Sequence, residues 1–250
     1  MTDHPANHPA NHPELQQKDC VMSSDLEWLP AGQPAQLMVL LHGVGADPAG
    51  LAPLARVLRE RFPQAAVLAP AGFEAFDMAP QGRQWFSVRG VTEGNRPARV
   101  AVALPRLVAW IKASQVRLGV EPAATALVGF SQGSIMSLEA VAAEDGLAGR
   151  VVAFAGRYAS LPAAAPTRTT VHLLHGSADP VMPVALVREA IEHLGALGGD
   201  ATLDIAEGVG HELHPALLDC ALHRLTSHIP RRTWQEALGA AASSGTNPDA

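Results

Sequence analysis

The chain is poor in whatever would tie it to a polyanion, a bilayer or an oxidising compartment. Lysine occurs only twice, as Lys18 and Lys112, and 18 basic residues against 24 acidic ones give a formal net charge of −6. A balance of that sign offers no basic face to nucleic acid or to anionic lipid. No apolar run approaches the roughly 18 residues that a membrane-spanning helix needs. The start, Met1-Thr2-Asp3-His4-Pro5, has no basic head before an apolar stretch, so no secretion signal is expected. Two cysteines, Cys20 and Cys220, are too few for a disulfide framework; they match a reducing cytosol, and a cytoplasmic location is expected. Aromatic residues are scarce, at only 4%. What remains is 250 residues that are 48% apolar, enough for one domain with a single large core and no disulfide or metal staple.

Both ends read differently from the middle. Residues 1–19 repeat His-Pro-Ala-Asn and set His4, His8 and His12 four residues apart, a helical spacing that Pro5, Pro9 and Pro13 contradict. With nothing apolar to fold it, this segment is expected to be a disordered tail. Residues 231–250 read as a closing helix or tail, small and polar from Ser243 onward and expected to fray. The folded domain is expected over 20–230.

Within it, short apolar runs alternate with helical patterns. Leu37–Leu41, Ala66–Ala69, Ala126–Phe130, Val151–Ala155 and Thr170–Leu174 are apolar on both faces, as strands of a parallel sheet are when helices cover both sides. Leu203–Ala206 is a weaker candidate. Helical patterns run over Pro48–Arg61, Arg99–Leu118, Gln132–Glu144, Pro183–Leu197 and Leu213–His228. Pro105 should kink the second of these or mark a late start. The alternation predicts a three-layer α/β domain with a mainly parallel central sheet, no large cap domain, and a site at the carboxyl ends of the strands.

One motif stands at such an end. Gly129-Phe130-Ser131-Gln132-Gly133 is a G-x-S-x-G sequence entered by a strand (ATALVGF) and left by a helix (SQGSIMSLEAVAAE). A sharp strand-to-helix turn strains the serine backbone and lifts its hydroxyl above the sheet, and the glycines leave room for that turn. A hydroxyl needs an adjacent base, and the base an orienting acid; sheet-topped hydrolases supply them in the order Ser, acid, His. Asp179 follows the strand TTVHLL, and His211 follows the strand-like LDIAEG. Ser131, Asp179 and His211 are therefore the candidate nucleophile, orienting acid and base. Two backbone N–H groups should hold the oxyanion: Gln132, next after the serine, and Val44, in the glycine-bearing loop His42-Gly43-Val44-Gly45. His42 and His175, each before a glycine at a strand end, read as loop supports. His211 and His214 form an H-x-x-H pair, but no Glu-x-x-His or cysteine cluster completes a metal site. No metal and no cofactor is expected. Trp85, Phe86, Met182 and Leu213 are the expected pocket wall, with core packing an equal alternative for the Trp85-Phe86 pair.

The blocks LLHGVGAD, RQWFSVRGVTEGNR, VGFSQGSIMSLEA, LLHGSADPVMPV and GVGHELHP span about Leu40 to Pro215. Together they resemble the phospholipase/carboxylesterase branch of the α/β-hydrolases, which includes the acyl-protein thioesterases; RQWFSVRGVTEGNR is closest to a group of small bacterial esterases. The resemblance implies the α/β-hydrolase fold and a cofactor-independent serine carboxylesterase acting on short- to medium-chain acyl esters, and it carries the same triad and oxyanion donors. An acyl-protein thioesterase or a lysophospholipase is the rival within the class, and an inactive hydrolase-fold binding protein the rival outside it. The only partner expected is a small acyl ester or thioester; nucleic acid and membrane are excluded, and a homodimer is left open. Removing residues 1–18 should leave melting temperature and esterase turnover nearly unchanged, since that segment has no core to contribute. A large loss of either, on comparing truncated and full chains, shows the tail to be structural or catalytic.

Overall fold

Strands that are apolar on both faces require a helical layer on each side. A computed structural model describes the backbone of residues 25–244 and the side chains of 25–238; the tail expected over residues 1–19 and the last polar residues lie outside it. Along the chain, β1 (Leu26–Trp28) and β2 (Gln36–Leu41) lead through one 3-10 turn to α1 (Ala52–Arg61) and β3 (Ala65–Ala69). A small hairpin, β4 (Glu74–Ala75) and β5 (Arg83–Gln84), precedes α2 (Arg96–Leu118). Then come β6 (Thr125–Phe130), α3 (Gln132–Ala143), β7 (Arg150–Phe154), β8 (Thr170–Gly176), α4 (Ala185–Ala196), β9 (Ala201–Ala206), α5 (Pro215–Ser227) and α6 (Arg231–Ser244).

The central sheet has the order β1-β3-β2-β6-β7-β8-β9. All neighbours are parallel except β1, which runs antiparallel to β3. Strand periodicity sorts the core into two layers. Leu37, Val39 and Leu41 join Leu107 and Ile111 of α2, Met136 and Leu138 of α3, and Val187 and Leu194 of α4 on one face. Met38 and Leu40 join Leu54 and Leu58 of α1 and Leu217 and Ala221 of α5 on the other. From β2 the strand order runs outward in both directions, to β3 and to β6, which makes the carboxyl ends of β2 and β6 the topological switch point where α/β sheets bind ligands.

Some local expectations need correction. Helix α2 starts at Arg96, so Pro105 does not mark a late start but sits inside the helix. Residues Ala101 and Pro105 are both exposed, so the carbonyl that proline leaves without its N–H faces water. The strands β1, β4 and β5 are additions to the expected pattern; at two or three residues they carry no periodicity to read. The weak candidate β9 is the sheet edge, half-buried throughout, and its Asp204 pairs with Arg224 of α5 at 2.9 Å. Its charge answers a helix, which breaks the apolar run.

Mid-strand in β8, His172 is fully buried, with Nδ1 2.9 Å from Thr202 Oγ1 and its ring edge-on to His228. Burial, reinforced by the charges of His228, Arg150 and Arg224, lowers its pKa from 6.5 to about 3. A base whose folded pKa lies below its unfolded value contributes stability that is complete above the unfolded pKa and is lost as pH falls toward the folded one. Stability should therefore drop on acidification below pH 6.5, and His172→Gln should flatten that drop by about one bound proton. Urea midpoints measured across this range test it; equal pH slopes for the two proteins contradict it.

Candidate active site

Ser131 lies between the last residue of β6 and the first of α3, at φ 54° and ψ −115°, a positive φ that a side chain normally forbids. Close packing over-determines that turn. Its N–H donates to Phe154 O at 3.0 Å. A Cβ on Gly129 would stand 2.5 Å from the Gly133 carbonyl, and one on Gly133 would stand 2.0 Å from Leu41 O. Strand β6, helix α3 and strand β2 thus meet backbone to backbone, and the two glycines of the motif are what allow it. Helix α3 is buried almost all round, as a helix between two other layers must be.

The three residues singled out by chain order come together here. Ser131 Oγ lies 2.9 Å from His211 Nε2, and His211 Nδ1 lies 2.7 Å from Asp179 Oδ2. The other Asp179 oxygen accepts the N–H groups of Val181 and Met182, both at 2.8 Å. Burial pushes the Asp179 carboxyl up, but the Met182 N–H, His211 and the Val181 N–H together outweigh it and hold it below the usual carboxylate range. An ionised carboxylate can only accept, so the His211 proton sits on Nδ1 and the Nε2 lone pair faces the serine hydroxyl. The Phe130 ring, 5.0 Å from the imidazole centroid, covers one side of it.

Two buried histidines beside the site, His42 and His175, brace the loops. His42 Nδ1 donates to Gly43 O at 2.7 Å and its Nε2 accepts Gly72 N–H at 2.8 Å, the pattern of a neutral ring. Burial lowers its pKa, against a smaller opposing pull from Gly43 O. His175 donates from Nε2 to Met182 O at 2.6 Å and stands 3.5 Å from Asp179 Oδ2, so it fixes the turn that presents the carboxylate. His214 caps α5, accepting the Ala216 N–H. It takes no part in the Ser131 cluster.

Val44 and Gln132, the expected oxyanion donors, both border the cavity beside Ser131. Gln132 opens α3, where the N–H has no partner one turn back. The Val44 loop is pinned to the β5 segment by Gly45 N–H to Arg83 O and Arg83 N–H to Ala46 O, each 2.8 Å. The Gln132 side chain reaches across to the same segment, accepting Trp85 N–H at 2.8 Å and donating to Phe86 O at 2.7 Å. Trp85 in turn donates from its indole to His42 O at 2.9 Å.

The cavity next to Ser131 measures about 740 Å³, within the usual range for a small-molecule site. Of the residues expected at a pocket wall, Phe86 and Met182 line this cavity. Trp85 and Leu213 do not. Trp85 is fully buried, its ring against His42 and Phe73, spent on the clamp just described, and Leu213 packs into the layer of α1 and α5. The remaining apolar wall comes from Val88, Val91, Ile135, Val181 and Leu186, with Arg157 and Glu93 at the rim. Ile135 is readable as one helical turn after Ser131, and Arg157 as a residue just past the carboxyl end of β7; the valines carried no signal. Among the described residues no group of three or more His, Cys, Asp or Glu is placed to hold a metal ion, and no helix is long and apolar enough to cross a membrane.

A mainly parallel sheet with helices on both faces, and a serine on a left-handed strand-to-helix turn meeting a His–Asp pair from later loops, define an α/β-hydrolase. Within that class, the chain belongs to the phospholipase/carboxylesterase family, whose model matches residues 29–229. It is 47% identical over 207 residues to esterase YpfH of Escherichia coli (strain K12), covering 82% of this chain and 89% of that protein. The crystal structure of esterase PE8 superposes with a TM-score of 0.76 at 32% identity, over 82% of this chain and 99% of that one. The Bacillus cereus carboxylesterase shares the fold at 16% identity, with a TM-score of 0.68 over 82% of this chain and 93% of that one.

The closest backbone approach gives the sharpest test of the turn. Gly133→Ala would drive a methyl group into Leu41 O, which cannot move without shifting β2. It should cost about 3 kcal/mol or more, the range of severe overpacking. Gly32→Ala, where a Cβ meets nothing within 4 Å, should change stability little. Denaturant unfolding of the two variants makes the comparison; a mild Gly133→Ala means the turn can relax.

Proposed function

We propose that this esterase hydrolyses short- to medium-chain carboxylic esters through a covalent acyl-enzyme on Ser131. The observation that carries the reading is the unbroken hydrogen-bonded series from Ser131 Oγ through His211 to Asp179, at 2.9 and 2.7 Å. His211 Nε2 takes the Ser131 proton as Oγ bonds to the acyl carbon, and Asp179 holds the imidazole in the required tautomer and stabilises its charge. The carbonyl oxygen, now an oxyanion, is held by the N–H groups of Val44 and Gln132, each such donor being worth roughly 2.7–4 kcal/mol. The imidazolium gives its proton to the departing alcohol oxygen. Water then repeats the sequence, losing a proton to Nε2 and adding to the acyl carbon, so that the acid leaves and Ser131 regains its proton. The apolar cavity beside Ser131 suits the acyl chain, since it offers contact surface without hydrogen-bond demands.

Ser131→Ala should abolish labelling by a fluorophosphonate and lower nitrophenyl-ester turnover by about 10⁴–10⁶, as for other members of a unit that acts together. Asp179→Asn should keep the serine in place but favour the wrong tautomer, costing on the order of 10⁴ in turnover. His214→Gln should keep most activity where His211→Gln does not. If His214→Gln stops labelling and His211→Gln leaves it intact, the assignment of the base is wrong.

A further inference from the structure

One wall of the cavity does not belong to the sheet scaffold. Val88 and Val91 reach it from the segment Ser87–Asn95, which lies between the β5 strand and α2. That segment is held on its own side of the cavity by local bonds and by Ser87 and Arg89, which donate to Asp77 in the β4–β5 hairpin. Asn95 Oδ1 accepts Thr92 N–H at 2.8 Å, Asn95 Nδ2 donates to Gly90 O at 3.0 Å, and Arg99 Nη1 donates to Ser87 O at 2.7 Å and Arg89 O at 2.9 Å. None of these bonds crosses the cavity.

Arg157 makes the crossing. Its guanidinium grips Glu93 with both forks, Nη1 to Oε1 at 3.0 Å and Nη2 to Oε2 at 2.6 Å, while Nε donates to Tyr158 O at 3.0 Å. The Arg157 side chain is 14% exposed and Glu93 is 68% exposed. Arg157 is rooted in the rigid part of the site. Ala155, two residues before it, sits at φ 47° with its N–H on Leu174 O, and Gly156 packs so closely on Ser134 that a Cβ would lie 2.2 Å from that side chain. The second partner of Glu93, Arg96 at 2.7 Å, belongs to Glu93's own side of the cavity. Losing Arg157 therefore detaches the segment from the β7 rim and leaves the Glu93–Arg96 pair standing.

We propose that Arg157 and Glu93 are specificity-determining residues. Their ion pair straps the Ser87–Asn95 segment across the cavity and holds Val88 and Val91 against the acyl chain. The proposal rests on the reading of this cavity as the acyl site of a serine esterase. Short acyl groups end before the strapped wall and gain little from it. Longer chains gain apolar contact only while the strap is fastened. Because Glu93 is mostly in water, dissolved salt screens the pair and loosens the strap.

The test measures kcat/KM on nitrophenyl acetate and nitrophenyl octanoate for the full-length wild type, Arg157→Gln and Arg157→Lys. At ~0.05 M salt, Arg157→Gln should lower the octanoate-to-acetate preference about four- to fifteenfold, mainly through KM, the effect of one or two methylene groups losing apolar contact. Arg157→Lys, which keeps the charge but not the fork, should fall between. At ~1 M salt the gap between wild type and Arg157→Gln should narrow, because screening at the exposed Glu93 end loosens the wild-type strap. An unchanged preference in Arg157→Gln, an equal loss on both esters, or a gap indifferent to salt overturns the proposal. If Arg157→Gln fails to fold, Glu93→Gln takes its place in the same comparison. A wild type that takes no fluorophosphonate on Ser131 fails at the level of the esterase reading itself, and removes the proposal with it; a labelled wild type with an unmoved preference overturns the strap alone.

Discussion

The left-handed backbone at Ser131 is the constraint around which the carboxyl edge of the sheet is arranged. A non-glycine residue held there costs roughly 1–3 kcal/mol and persists only where its surroundings leave no alternative. They leave none here. The chain enters from a central strand paired on both sides, and it leaves into a helix buried almost all round. Gly129, Gly133 and Gly156 each sit where a side chain would collide with backbone or with Ser134. The strain at one residue is thus offset by the packing of three strands and a helix, and the hydroxyl is aimed by parts too closely fitted to drift.

Behind the turn lies a buried polar framework that works in the same direction. Gln132 is 2% exposed yet has both ends of its amide paired, joining the helix that follows the serine to the Trp85–Phe86 segment. His42 joins the β2 loop to Gly72, and its carbonyl accepts the Trp85 indole N–H. Buried polar groups are costly unless paired, and when paired they fix one arrangement because any slippage leaves a donor or acceptor unmet. The Val44 and Gln132 N–H groups are therefore held from behind by bonds that do not use those N–H groups, as the oxyanion role proposed for them requires.

Most of this architecture was legible in the sequence because it depends on patterns that pack. Runs such as Leu37–Leu41 have no polar residue to face solvent, so they had to be interior strands, and the glycines around Ser131 marked a turn that only a strand-to-helix junction needs. The failures have equally physical causes. The strand Leu26–Trp28 is three residues on a sheet edge, and the β4–β5 hairpin is two residues a side, both below the length at which alternation says anything. Pro105 reads as a kink or a late start because its missing N–H is costly inside a protein, whereas on this exposed helix face the freed carbonyl stands open to solvent.

The site divides along the same line. Proton transfer needs atoms within a few tenths of an ångström of fixed positions, so the residues proposed for it stand at strand ends in an order the chain imposes, where sequence reasoning can find them. An apolar wall needs only surface of suitable shape, and Val88, Ile135, Met182 and Leu186 supply it from segments that share no motif. Trp85 shows the hazard of reading such a wall from residue type. A large aromatic beside the site reads equally as lining or as core; its indole N–H has a buried carbonyl to satisfy, and its ring packs against His42 and Phe73. Chemistry in this fold is thus fixed by the sheet, while the shape of the cavity is left to the loops and helices that the sheet carries.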